Sequence, residues 1–94
     1  MPGSFKNRVK VPEGVMFREI AGEAVLLDLN SETYFGLDEI GTRMWSVLLA
    51  SASIEDAYQV LLDEFDVEPE ALRSDLSAFL EKLAGSGLVS LTDA

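Results

Sequence analysis

Residues 26–45, LLDLNSETYFGLDEIGTRMW, constrain the fold more than any other segment because the spacing of apolar residues changes within them. They begin as a short strand, turn at residues 30–32 (Asn-Ser-Glu), and continue as a second short strand, rich in aromatic residues, at 33–37. Asp38 follows at once and suits the N-cap of a helix, because its carboxylate can accept hydrogen bonds from first-turn amides. The segment predicts a sheet that runs directly into a helix.

The flanking residues extend this pattern into a whole domain. The first of the two strands reaches back to residue 23, and a further strand at 15–20 precedes it across a tight turn at Ala21-Gly22. After the first helix, Ser53 suits the N-cap of a second helix, and Pro69 suits the first turn of a third. The order βββααα predicts an α+β, winged helix-turn-helix-like fold, in which a three-stranded antiparallel sheet packs on three helices.

The first ten residues differ in charge from the rest of the chain. They carry Lys6, Arg8 and Lys10 and no acidic residue, although the whole chain has a net charge of −10. We expect residues 1–12 to form a flexible basic tail, with a docking arm as the alternative, and residues 13–92 to form one domain.

Composition excludes several classes of function. The 94 residues contain no cysteine and no histidine, so the commonest nucleophile and base pairs, thiolate metal sites and disulfides are absent. The sequence predicts a protein that is not an enzyme and that has no cofactor and no metal. The acidic charge disfavours nucleic acid and anionic membranes as partners, and no apolar run approaches the ~18 residues of a membrane span. We expect a soluble, cytoplasmic protein.

The third predicted strand and the third helix form the candidate site. This strand is the last in the meander, so its outer backbone groups are free to pair with an extended peptide. The groove between strand and helix would use Thr33, Tyr34, Phe35, Gly36 and Leu37 from the strand, and the shoulders of the apolar stripe of the helix, which carry Arg73, Leu80, Asp75 and Lys82.

Simpler interpretations of these residues stay open. The strand aromatics could be ordinary half-buried residues, and Leu72, Leu76, Phe79 and Leu83 could be plain core. The sequence also does not decide which flank of the helix faces the strand, the one with Arg73 and Leu80 or the one with Asp75 and Lys82.

Residues from about 13 to 91 resemble the PqqD-like proteins, the leader-peptide recognition elements of pathways that modify ribosomally made peptides. The resemblance rests on VLLDLNSETYFGLD at residues 25–38, then Ile-Gly at 40–41, Met-Trp at 44–45, Phe-Leu at 79–80, Leu83, and Gly-Leu-Val at 87–89. Within the family, this version is most similar to the small stand-alone proteins of lasso-peptide biosynthesis.

The resemblance implies a non-catalytic adaptor. Family members bind the leader of a precursor peptide as an added antiparallel strand on the third strand, with leader side chains in the cleft beside the third helix. Carried over to this chain, the resemblance implies a ladder on residues 32–37, which adds Glu32, and a cleft lined by residues among 72–83, which adds Leu72, Leu76, Phe79 and Leu83. The implied partners are the precursor peptide and a separately encoded processing enzyme, which in lasso pathways is a cysteine protease. We expect a monomer, although the free edge could also pair with its own copy.

Three alternatives stay open. The first, which the resemblance implies, is a PqqD-type chaperone that presents its precursor to a radical-SAM enzyme. The second is a winged-helix nucleic-acid binder, which the acidic charge disfavours. The third is an accessory subunit that stabilises an enzyme without touching its substrate.

Overall fold

The computed structural model describes residues 5–93, which form five strands and three helices. The elements follow one another in the order β1 Asn7–Lys10, β2 Val15–Ile20, β3 Glu23–Asp28, β4 Thr33–Gly36, α1 Glu39–Ala50, α2 Ile54–Glu64, α3 Pro69–Gly85 and β5 Ser90–Asp93. The predicted α+β architecture, with a three-stranded antiparallel sheet and three helices, is confirmed. In the described part of the chain, no helix is both long and apolar enough to cross a membrane.

Each helix starts at a residue type that favours a helix N-terminus, and in α1 and α2 this is a side-chain cap. The Asp38 side chain accepts a hydrogen bond from the Gly41 amide at 2.7 Å, and the Ser53 hydroxyl accepts one from the Asp56 amide at 3.1 Å. Pro69 opens α3, where its missing N–H is not needed. The apolar faces of the helices then meet in one core, which includes Trp45, Leu61 and Leu76.

The main sheet has the order β2-β3-β4, with both pairs antiparallel. Residues directly opposite in such a pair lie on the same face, so Phe17, Leu26 and Phe35 form one row. This row faces the helices: Leu26 is fully buried, Phe35 is half-buried, and the Phe17 ring stands edge-on to Trp45 with centroids 5.4 Å apart.

The opposite face of this sheet is open. It carries Met16, Ile20, Val25 and Tyr34, and all four side chains are exposed. Exposed apolar side chains gathered on one sheet face are unusual for a small monomeric domain, because contiguous apolar surface of this kind commonly marks an interaction site.

The junction between sheet and α1 is held by one buried hydroxyl. Thr42 is 4% exposed, and its Oγ1 accepts a hydrogen bond from the Ala24 amide at 2.7 Å. The same Oγ1 donates to the Leu37 carbonyl at 3.4 Å, while the Leu37 amide donates to the Ala24 carbonyl at 2.8 Å. This hydroxyl therefore satisfies polar groups of both β3 and the end of β4, where the ladder gives way to the helix.

The N-terminal segment differs from its prediction. A tail was expected over residues 1–12, but β1 pairs antiparallel with β5 and buries Val9. The Phe5 carbonyl also accepts a hydrogen bond from the Glu55 amide at 2.7 Å. The physical reason is an alternation in which Val9 faces the core while its charged neighbours Arg8 and Lys10 stay exposed. Residues 1–4 of the expected tail lie outside the described residues.

We predict that Thr42→Val destabilises the domain by about 1–3 kcal/mol, because it leaves the Ala24 amide without its buried acceptor while keeping side-chain volume. Urea unfolding followed by circular dichroism measures this loss. Thr33→Val is the matched control: its hydroxyl contacts only Ser31 on the surface, so the change should stay within about 0.5 kcal/mol. Equal losses for both variants would contradict the bridging role of Thr42.

Candidate peptide-binding site

The outer edge of β4 offers free backbone groups. The Leu37 amide bonds to Ala24 in β3, and hydrogen bonding in an antiparallel pair alternates along each strand. Phe35 therefore also directs its N–H and C=O toward β3, whereas Tyr34 and Gly36 direct theirs away from it. Because β4 is the last strand of its sheet, these four backbone groups face the open edge.

A cleft lies between β4 and one flank of α3. The Lys82 Nζ sits 4.9 Å from the centroid of the Phe35 ring. Further along, Cε1 of Phe79 comes within 3.6 Å of the position that a Cβ on Gly41 would occupy, so the Phe79 ring lies against the start of α1. The flank of α3 that faces β4 is therefore the one with Phe79 and Lys82, which the sequence left undecided.

Gly41 is the site residue that sequence reasoning missed. A Cβ at this position would lie 3.2 Å from Asp38 Oδ1 and 3.5 Å from Leu37 Cβ, as well as against Phe79. A glycine inside the first turn of a helix lowers helix stability, so its presence there was a usable signal for a close approach. Here it lets the Phe79 ring approach the start of α1.

Arg73 does not join this group. Its guanidinium lies 4.6 Å from the Phe5 ring centroid and 4.5 Å from that of Tyr58, and it pairs with Glu55 at 3.3 Å. These contacts place Arg73 on the flank of α3 that faces α2 and the chain before β1. Its contact with a peptide stays a prediction, and its position gives it no support.

The other predicted helix residues divide between core and cleft. Four leucines are fully buried and support the cleft from below: Leu72, Leu76, Leu80 and Leu83. Asp75 is exposed and lies one turn before Phe79 on the same flank. Contact of these five residues with a peptide stays a prediction.

The predicted strand residues surround the open edge. Tyr34 is 78% exposed and stands on the outer face, while Leu37 is buried at the end of the cleft. Glu32 is exposed and has a positive φ of 57°, so the chain turns sharply just before β4. Thr33 Oγ1 lies 2.6 Å from the Ser31 hydroxyl, and this contact ties the turn to the strand.

The chemistry that the cleft offers comes from backbone groups and from a few side chains. Among the described residues, no cluster of three or more His, Cys, Asp or Glu side chains could hold a metal ion. The clear ionisation shifts occur away from the cleft, where the hydrogen bond from Arg43 lowers the pKa of the Glu64 carboxyl. What the cleft offers is a backbone edge, two aromatic rings and one ammonium group.

The family model for Coenzyme PQQ synthesis protein D (PqqD) matches residues 23–89. The chain therefore belongs to the PqqD family, and the resemblance in its sequence is confirmed. A comparison with curated protein sequences gave no match.

Two solved structures share this fold. TbiB1 in complex with the TbiA(beta) leader peptide is 36% identical, with a TM-score of 0.80 over 85% of this chain and 93% of TbiB1. A lasso peptide synthetase B1 complexed with the leader peptide is 24% identical, with a TM-score of 0.79 over 87% of this chain and 96% of that chain. The second similarity supports the fold alone, whereas the first also shows relatedness in sequence.

Proposed function

We propose that this protein is a non-catalytic adaptor of lasso-peptide biosynthesis, which binds the leader of a ribosomally made precursor peptide. The leader adds to β4 as a fourth, antiparallel strand. The observation that carries this proposal is the free edge of β4 beside the cleft, where Tyr34 and Gly36 offer two N–H donors and two C=O acceptors.

The sequence of β4 suits an edge that is meant to pair. Proteins protect free edges from unwanted pairing with charged residues, proline or bulges. The four residues of β4, TYFG, include no charge and no proline. The other free edge of the same sheet, β2, carries Arg18 and Glu19. The contrast marks β4 as the edge that is left open for a partner strand.

The relatives supply the chemistry of that partner. TbiB1, which is related to this chain over 85% of its length, was solved with a leader peptide. An extended peptide gains main-chain hydrogen bonds from a strand edge and specificity from pockets that receive alternate side chains. In this protein the cleft between β4 and α3 would provide those pockets.

We predict that Tyr34→Pro abolishes binding of the TbiA(beta) leader peptide, as measured by isothermal titration calorimetry. Proline removes the N–H that the peptide needs and places its ring at the open edge. The fold should survive, because the Tyr34 N–H makes no bond to β3.

Glu19→Pro is the matched control. The Leu29 amide bonds to the Gly14 carbonyl, so the alternation directs the Glu19 N–H away from β3 as well, at the wrong edge of the sheet. This variant should bind the peptide like the wild type. Unchanged binding by Tyr34→Pro, or equal loss in both variants, would contradict strand addition to β4.

We further propose that the open face of the sheet presents the bound leader to a separately encoded processing enzyme, a cysteine protease. A depression of about 470 Å³ on this face is lined by residues that include Met16, Arg18, Ile20 and Val25. A leader paired with β4 would extend this sheet, and every second leader side chain would continue the same face. The enzyme would then contact the adaptor and the leader together. It would therefore bind the adaptor that carries a leader more tightly than the empty adaptor.

We predict that Ile20→Glu slows cleavage of the precursor by the processing protease while leaving leader affinity unchanged, because it places a charge in an apolar contact surface. Single-turnover cleavage and calorimetry measure the two quantities separately. Val60→Glu changes a similarly exposed apolar residue on α2 and should leave both unchanged. Normal cleavage with Ile20→Glu would contradict docking on this face.

A further inference from the structure

Lys82 differs from the arginines on the helices. Arg43 makes three hydrogen bonds to the Glu64 carboxylate, and Arg73 pairs with Glu55. Among the residues that the structure describes, Lys82 forms no ion pair, and its ammonium lies over the Phe35 ring. An ammonium without a carboxylate partner is notable in a chain that has 17 acidic residues against seven basic ones.

The contact with Phe35 holds the ammonium without using its donors. A cation over an aromatic face is attracted by the ring quadrupole, which requires no N–H hydrogen bond. The three N–H donors of Lys82 therefore stay available to a ligand. A peptide lying on Phe35 would remove water from this ammonium, and the loss is offset best by a carboxylate.

The charges around the cleft are arranged in order along it. Lys82 lies beside Phe35, in the middle part of β4. At the α1 end, the Asp38 carboxylate accepts a hydrogen bond from the Gly41 amide, and Glu39 follows it in the chain. Asp75 lies one turn before Phe79 on α3. The carboxylates at the α1 end thus lie on one side of Lys82, which gives the cleft its positive charge beside Phe35, and Glu32 precedes β4 on the other side.

We infer that Lys82 selects leaders with an acidic side chain at one defined position. The inference rests on the proposed function, in which the leader runs antiparallel to β4. The leader then passes the α1 end first and Lys82 afterwards. Side chains that enter the cleft are two residues apart. The preferred sequence is therefore an apolar residue seated on Phe79, any residue, and then Asp or Glu beside Lys82.

This register also accounts for the apolar part of the cleft. The Phe79 ring and buried Leu37 lie at the α1 end, where the first inward-facing leader side chain would sit. A basic leader residue at the second position would meet Lys82 and be disfavoured by like charge. Lys82 therefore raises the affinity for leaders with an acidic residue at this position and lowers it for leaders with a basic one.

The test uses a phage-displayed library of random 12-residue peptides, selected separately on the wild type, Lys82→Met and Lys82→Glu. Only clones that lose binding to Tyr34→Pro are counted, so that binders of other surfaces are removed. Selected peptides and their Asp→Asn or Glu→Gln counterparts are then compared by fluorescence polarisation. Lys10→Glu, which makes the same charge change on β1, controls for the overall field of the protein.

With the wild type we expect Asp or Glu two residues after an apolar position, and about fivefold weaker binding of the amide counterparts, as for an exposed ion pair of ~1 kcal/mol. Lys82→Met should lose this preference, and Lys82→Glu should reverse it toward Lys or Arg, whereas Lys10→Glu should keep it. Added salt should reduce the preference.

Two results would overturn the inference in distinguishable ways. Clones that depend on Tyr34 but show no acidic preference, or keep it in Lys82→Glu, would overturn the role of Lys82 and leave leader binding intact. An absence of clones that depend on Tyr34 would overturn both the role of Lys82 and the proposed strand addition.

Discussion

The geometry of the site depends on the hydrogen bonds made by the Thr42 hydroxyl. It lies where β3, the end of β4 and the first turn of α1 converge, and it bonds to the Ala24 amide and the Leu37 carbonyl. With the Asp38 cap, it fixes the direction in which the chain leaves the sheet. With α1 leaving the sheet in this direction, Phe79 and Lys82 of α3 lie beside the end of β4, which remains the edge strand of its sheet.

The protein thus combines a hydrogen-bonded junction with a strand edge whose backbone groups have no partner in the sheet. At the junction the Ala24 and Leu37 amides are both paired, whereas the outward backbone groups of Tyr34 and Gly36 are left to solvent or a partner. In the proposed complex, the cleft would add side-chain selectivity through Phe79 and Lys82. Affinity from the backbone and selectivity from the cleft would then be separate contributions, so a substitution could change one without the other.

Local signals in the sequence predicted most of this fold. The helix starts were predicted from Asp38, Ser53 and Pro69, each of which acts within one helical turn. All three helices of the structure begin at or directly after these residues. The three strands of the main sheet follow from alternation and turn residues. Such features depend on neighbours in the chain, and a single sequence therefore shows them.

The remaining features depend on contacts between distant residues. The pairing of β1 with β5 brings together residues 7–10 and 90–93, which are far apart in the sequence. The alternation of buried and exposed residues in β1 rests on Val9 alone, and the basic residues around it suggested a tail instead. Which side of α3 faces β4 depends on contacts such as those of Arg73 with Phe5 and Tyr58 on the opposite flank. Thr42 reads in sequence as an ordinary helix residue, since only the approach of Ala24 gives its hydroxyl a role.

Amide hydrogen exchange, followed by NMR with and without the TbiA(beta) leader peptide, tests strand addition most directly. Strand addition to β4 predicts slower exchange at the Tyr34 and Gly36 amides once the peptide is bound, because only these β4 amides acquire a new acceptor. The outward amides of Phe17 and Glu19 on β2 should be unaffected. Unchanged exchange at Tyr34 and Gly36 under saturating peptide, or protection at the β2 edge instead, would contradict strand addition to β4.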